Sequence, residues 1–149
     1  MHGRIGLHGP RRVAGHRFPD AGRERTGLVG IADGVDTVYH LVGGGNDGRR
    51  DPFVINTQAT RNMVAACQGA AVGAFVYVSS SSVYGRQPGW VDEESEPSPR
   101  FDSPQSKLDA EAAVLDQARA TGFPGVVARM AGLYGVDAPM LGTDLVRRG

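Results

Sequence analysis

Three β-rich runs, "TVYHLV", "AFVYVSS" and "GVVARM", alternate with two stretches whose apolar residues recur every three or four positions. A parallel strand cannot reach its neighbour through a tight turn; it needs a crossover of a dozen or more residues, usually a helix. Strand, helix, strand, helix, strand is thus the grammar of an α/β fold, an open parallel sheet with right-handed crossovers. The first strand lies in "GVDTVYHLV" and ends at Gly43, Gly44 and Gly45. Asp51 is expected to cap the first helix, with Pro52 in its first turn and Ile55, Ala59, Met63, Ala66 and Ala70 on one stripe. The second strand runs from Ala74 to Ser79, and its continuous apolar character suits a sheet covered on both faces. Ser103 as N-cap and Pro104 at the first helical position open the second helix, with Leu108, Ala112, Leu115 and Ala118 on one side. Gly125 to Met130 form the third strand.

A chain of 149 residues holds one core. Residues 1–30 break every period with glycine, arginine, histidine and proline and are expected to be a poorly structured basic segment, with the folded domain at 31–149. That first segment carries Arg4, Arg11, Arg12, Arg17, Arg23 and Arg25 against Asp20 and Glu24. It lacks interleaved aromatics and a helical period, so it reads as a solvated tail, not a nucleic-acid arm. Sixteen basic and sixteen acidic side chains cancel, which leaves no global field for nucleic acid or an anionic membrane. The longest apolar run, Ala70 to Val78, falls far short of the ~18 residues that span a bilayer. Cys67 is alone, so no intrachain disulfide forms and a reducing, cytoplasmic setting is the simpler one. His2, His8, His16 and His40 show no metal-ligand spacing, and no metal site is expected.

Ligands of open parallel sheets sit beyond the carboxyl ends of the strands. That rule gathers "LVGGG", "SSSSVYG" and "RMAGLYG" along one edge. "GGGNDG" matches G-x-G-x-x-G literally, but the helix starts beyond Gly48 and no Asp or Glu occurs from Pro52 to Val91 to bind a ribose. Its glycines either let backbone pass close to a ligand or simply turn. The serines of "SSSSVYG" each need a hydrogen-bond partner if buried. A hydroxyl there either polarises a substrate carbonyl or alcohol, or caps the strand.

Taken together, "GVDTVYHLVGG", "NTQATRNMVAAC", "FVYVSSSSVYG", "SKLDAE" and "RMAGLYG", in that order, resemble the NAD-dependent epimerases and dehydratases. These form the extended branch of the short-chain dehydrogenase/reductase superfamily and act largely on sugar nucleotides. The resemblance runs from Asp33 to Gly135. It implies an incomplete Rossmann-like parallel sheet of three strands with crossover helices, since the family's N-terminal strand and glycine loop are not found in residues 1–30. It implies NAD or NADP as cofactor, with Leu41, Val42, Gly43, Asn56 and Lys107 at the cofactor and a nucleotide sugar as substrate. Ser80 falls where the family binds the reacting oxygen, and Tyr84 is structural. Lys107 falls where a lysine orients the nicotinamide ribose and lowers the pKa of a tyrosine four residues earlier, on the same helix face.

That tyrosine is Ser103 here. A serine hydroxyl is too short and far too weak an acid to be tuned to neutrality by one lysine. Lys107 then either donates to a ribose hydroxyl or pairs with Glu111 one turn on. The resemblance also implies a homodimer through the helices of Asp51 to Gly69 and Ser103 to Ala120. Met130 replaces the family's proline after Arg129, and the chain ends at Gly149, before the family's substrate-binding region. The expectation is a truncated, catalytically impaired member of the family, or a non-catalytic nucleotide-binding or dimerisation module of the same fold.

Overall fold

The structure, a computed structural model, describes residues 28–43 and 51–132 together with the backbone of two further strands, β1 (Arg4–Gly9) and β2 (Arg12–Arg17). β3 (Thr37–His40), β4 (Ala74–Ser80) and β5 (Gly125–Met130) pair in parallel, as their β-branched and aromatic content leads one to expect. α1 (Ala59–Gly69) is preceded without a break by a π-helical stretch, Phe53–Gln58, and joins β3 to β4. α2 (Asp102–Thr121) joins β4 to β5.

Within residues 1–30, the segment expected to be poorly structured, two strands are described. β1 and β2 form an antiparallel pair, and β1 also pairs antiparallel with β3, giving the sheet order β2-β1-β3-β4-β5. The ladder comes from β3, a partner remote in sequence, which no local period announces. The neighbour of β3 is therefore antiparallel, and the parallel part of the sheet among the described residues is the three strands β3, β4 and β5.

Register assigns the side chains of the parallel strands to two faces. Val38, His40, Phe75, Tyr77 and Ser79 lie on one face and are buried. Val64, Met63 and Cys67 of α1, Ala110 and Val114 of α2, and Leu28 and Ala32 complete that core. Each fully buried large apolar side chain contributes about 1.5–3 kcal/mol relative to exposure. Burial pushes the Cys67 thiol up to about 12, so it packs as a small apolar group. Tyr39, Val126 and Met130 belong to the other face and are exposed. Cover on both faces is expected from the apolar run of β4; β4 instead alternates between buried and half-buried positions.

Asp51 caps the first helix as expected, its Oδ1 accepting from Phe53 N at 2.8 Å. Of the stripe read from the sequence, Ala59 and Met63 are fully buried, and Ile55, Ala66 and Ala70 pack against the core. α2 differs on two points. It starts at Asp102 after an extended Phe101, so Ser103 lies inside the first turn; Pro104 is still tolerated because first-turn N–H groups have no helical partner. Its buried residues are Ser106, Ala110, Glu111 and Val114, while Leu108 and Leu115 are half-buried and Ala112 is exposed. The apolar stripe misplaces the core face because two of the residues that face it are polar.

Candidate functional site

At the carboxyl end of β3 the backbone runs through Leu41 and Val42 to Gly43, where α2 presses against it. A Cβ at Gly43 would stand 2.9 Å from Lys107 Nζ and 3.7 Å from Asn56 Oδ1, so only glycine lets the lysine approach the chain this closely. The lysine is held there by its neighbour. Ser106 Oγ accepts from Asn56 Nδ2 at 2.8 Å and donates to the Ser103 carbonyl at 2.8 Å, while Thr57 Oγ1 donates to the Ser106 carbonyl at 2.9 Å. Asn56 and Thr57 are consecutive and both buried. The wide π-helical turn that contains them aims both at α2.

One turn further along α2 is a second group of opposite charge. Glu111, 1% exposed, accepts from Arg129 Nε and Nη2, the latter at 2.8 Å, and from Ser79 Oγ at 2.5 Å. Arg129 Nη1 donates to Tyr84 Oη at 2.8 Å, its guanidinium lying 4.8 Å from the ring centroid. The Glu111 hydrogen bonds raise the Arg129 pKa above its ordinary value against the opposing effect of burial. The network ties α2 to β4, to β5 and to the 3-10 turn Ser81–Tyr84.

Lys107 has no such partner. Of the two readings the sequence leaves open, a Lys107–Glu111 pair is not formed: the ion pairs among the described residues are Arg129–Glu111 and Arg119–Asp116. Burial pulls the Lys107 ammonium below its ordinary range, while the charge of Glu111 pulls the other way. Behind it, His40 Nε2 lies 3.0 Å from Thr60 Oγ1, and His40 Nδ1 is buried without a hydrogen-bond partner. Burial first, and then the charge of Lys107, lower the His40 pKa to about 3, so the ring is neutral. Tyr77 Oη, also buried, makes no hydrogen bond of good geometry; Thr60 lies near enough only to moderate the burial that pushes its pKa up.

The structure thus brings Gly43, Asn56 and Lys107 together. Val42 is buried beside them and Leu41 is half exposed. Ser80 Oγ accepts from Ser82 N at 3.2 Å and caps the turn Ser81–Tyr84. Tyr84 is structural, as the resemblance implies, and buried. Gly44, Gly45 and the rest of "GGGNDG", and Tyr134 and Gly135, lie outside the described residues. Sequence reasoning missed Ser79, Thr57, His40, Ser106 and the Glu111–Arg129 pair. The available signal was polar residues inside apolar runs: a histidine in β3, and a serine and a glutamate on the buried face of α2.

Residues 23–145 match the NAD dependent epimerase/dehydratase family, and the chain belongs to it. It is 31% identical over 114 residues to an uncharacterized UDP-glucose epimerase of Bacillus subtilis, covering 72% of this chain and 36% of that protein. It is 34% identical over 116 residues to a 3 beta-hydroxysteroid dehydrogenase/Delta 5→4-isomerase of Mycobacterium tuberculosis, covering 69% and 31%. Among solved structures it superposes on the UDP-glucuronic acid 4-epimerase of Bacillus cereus in complex with NAD, with a TM-score of 0.67, 28% identity, and 72% of this chain and 36% of that one covered. The chain thus spans about a third of the length of the curated relatives it matches. Among the described residues no helix is long and apolar enough to cross a membrane.

Proposed function

We propose that this chain keeps the nicotinamide-ribose end of the family's site and lacks its proton shuttle, so that it binds a nucleotide ligand without completing hydride transfer. The observation that carries this is Ser103, four residues ahead of Lys107 on α2. None of the described tyrosines replaces the missing phenol: Tyr84 Oη is held by Arg129, Tyr77 is buried under the helices, and Tyr39 is on the opposite face of the sheet. A serine hydroxyl does not lose a proton near neutral pH, whatever cation stands beside it.

The residues present fit the family's cofactor, NAD or NADP, at one end only. Lys107 offers unused donors against Gly43, where a ribose edge can approach backbone, and the dinucleotide would supply a hydride acceptor there. For the pyrophosphate, the strand beside β3 is antiparallel, so a parallel strand, glycine turn and helix ahead of β3 are not found among the described residues. Leu41, Val42 and Asn56 belong to this binding role, and Ser80 is proposed to donate its O–H, which the cap does not use, to the reacting oxygen of a nucleotide sugar. The relatives differ at the substrate end, a UDP-sugar epimerase in one case and a steroid dehydrogenase in another.

Calorimetric titration with NAD, NADP and UDP-glucose tests the binding, and chromatography of UDP-glucose incubated with NAD and the chain tests the chemistry. Heat of binding without product is the expected result. Product that disappears in Lys107→Ala would overturn the reading. A second reading, a homodimer through α1 and α2, is favoured by Leu108, Ala112 and Leu115, which the core of this chain does not use. Sedimentation at rising concentration tests it.

A further inference from the structure

Lys107 is the only lysine in the chain; the remaining fifteen of its sixteen Lys and Arg residues are arginine. Histidines apart, every other basic side chain of this protein is a guanidinium. Arginine stays protonated at any pH a protein meets and has no free amine, whereas a lysine can lose its proton and act as a nucleophile. The position of Lys107 fits that difference. Its ammonium has been taken out of bulk water, lies against the backbone of Gly43, and enters no ion pair with a described residue. The carboxylate one turn away, which would hold it charged, is saturated by Arg129 and Ser79. Ser103 leaves it no phenol to serve. It is nevertheless partly exposed, at the carboxyl edge of the parallel strands, so a small molecule can reach it.

We propose that Lys107 captures a small aldehyde or ketone as an imine at the carboxyl edge of the sheet. The neutral amine attacks the carbonyl carbon, a C–N bond forms, and the nitrogen's proton passes through water to the carbonyl oxygen, giving a carbinolamine. Loss of the second N–H proton and of the hydroxyl as water then leaves C=N. One amine and one carbonyl give one imine and one water, with no change of oxidation state. The downward pull of burial on the amine enlarges the neutral fraction that can react. This inference needs no dinucleotide, so it stands or falls separately from the binding reading above.

The experiment uses propionaldehyde and sodium cyanoborohydride at pH 7, with the adduct located by peptide mapping. Because Lys107 holds the only ε-amine, the α-amino group of Met1 is the internal reference. The folded chain is expected to label Lys107 faster than the same chain unfolded in urea, since burial of the amine raises the fraction that is neutral. Lys107→Arg is expected to lose that label and keep the label at Met1. Labelling of Lys107 no faster in the folded than in the unfolded chain overturns the proposal. So does a folded-state pH profile for Lys107 that rises only near its ordinary value of 10.5.

Discussion

Glu111 and Lys107 stand one turn apart on α2, carry opposite charge and are both withdrawn from water, yet they live in opposite circumstances. Glu111 has three donors around it, two of them from the Arg129 guanidinium; Lys107 has a glycine backbone and a neutral imidazole nearby. The difference teaches which charge builds the fold and which is available to a ligand. A saturated carboxylate cannot be removed without stranding its partners, whereas an unpartnered amine contributes little to folding and its desolvation opposes it.

Four changes, measured by urea unfolding, would break or sharpen that contrast. Glu111→Ala leaves Arg129 and Ser79 without their acceptor and is expected to lower stability by about 3–5 kcal/mol, the usual cost of halving a buried pair. A loss under about 1 kcal/mol would mean the network is ornamental.

Next in size is the neutral histidine behind the amine. Its folded pKa of about 3 lies below the ordinary 6.5, so its contribution is fully present above pH 6.5 and is lost as pH falls toward 3. Each pH unit in that window should cost up to about 1.4 kcal/mol, and His40→Asn should flatten the acid limb of the stability profile. An unchanged limb would show that other groups set it.

Tyr84→Phe removes one acceptor from Arg129 while keeping the ring and should cost about 1 kcal/mol. The smallest effect belongs to Lys107→Met, expected within about 0.5 kcal/mol of the parent or slightly more stable. A loss comparable to that of Glu111→Ala would erase the distinction between the two charges.

Much of this arrangement can be read from the sequence. β3, β4 and β5 announce themselves by β-branched and aromatic runs, and α1 by a stripe that falls on Ala59 and Met63 in the core. Lys107 and Gly43 are legible through motif order, and the structure brings them together. The core face of α2 is not legible, because Ser106 and Glu111 occupy it for the sake of hydrogen bonds that reach Asn56 and Arg129, remote in sequence. Nor is the β1–β2 pair, whose place depends on an edge offered by β3. Ser103 illustrates a nearer miss: Ser-Pro suggests a helix boundary, and the boundary falls two residues earlier, with Phe101 as N-cap and Asp102 first in the helix.

Gly85 has a φ of +65°, and a Cβ there would collide with the Ser98 carbonyl, while Ser98 N donates to the Val83 carbonyl at 3.0 Å. The excursion carrying Trp90, Asp92, Glu93, Glu94 and Glu96 is therefore knotted shut at its base, like a bag drawn closed by its string. Adding residues near Trp90, which is fully exposed, costs only the slow logarithmic entropy of a larger loop. The outer half of this segment is thus free to vary in length and composition, while the tyrosine at its neck keeps its grip on Arg129.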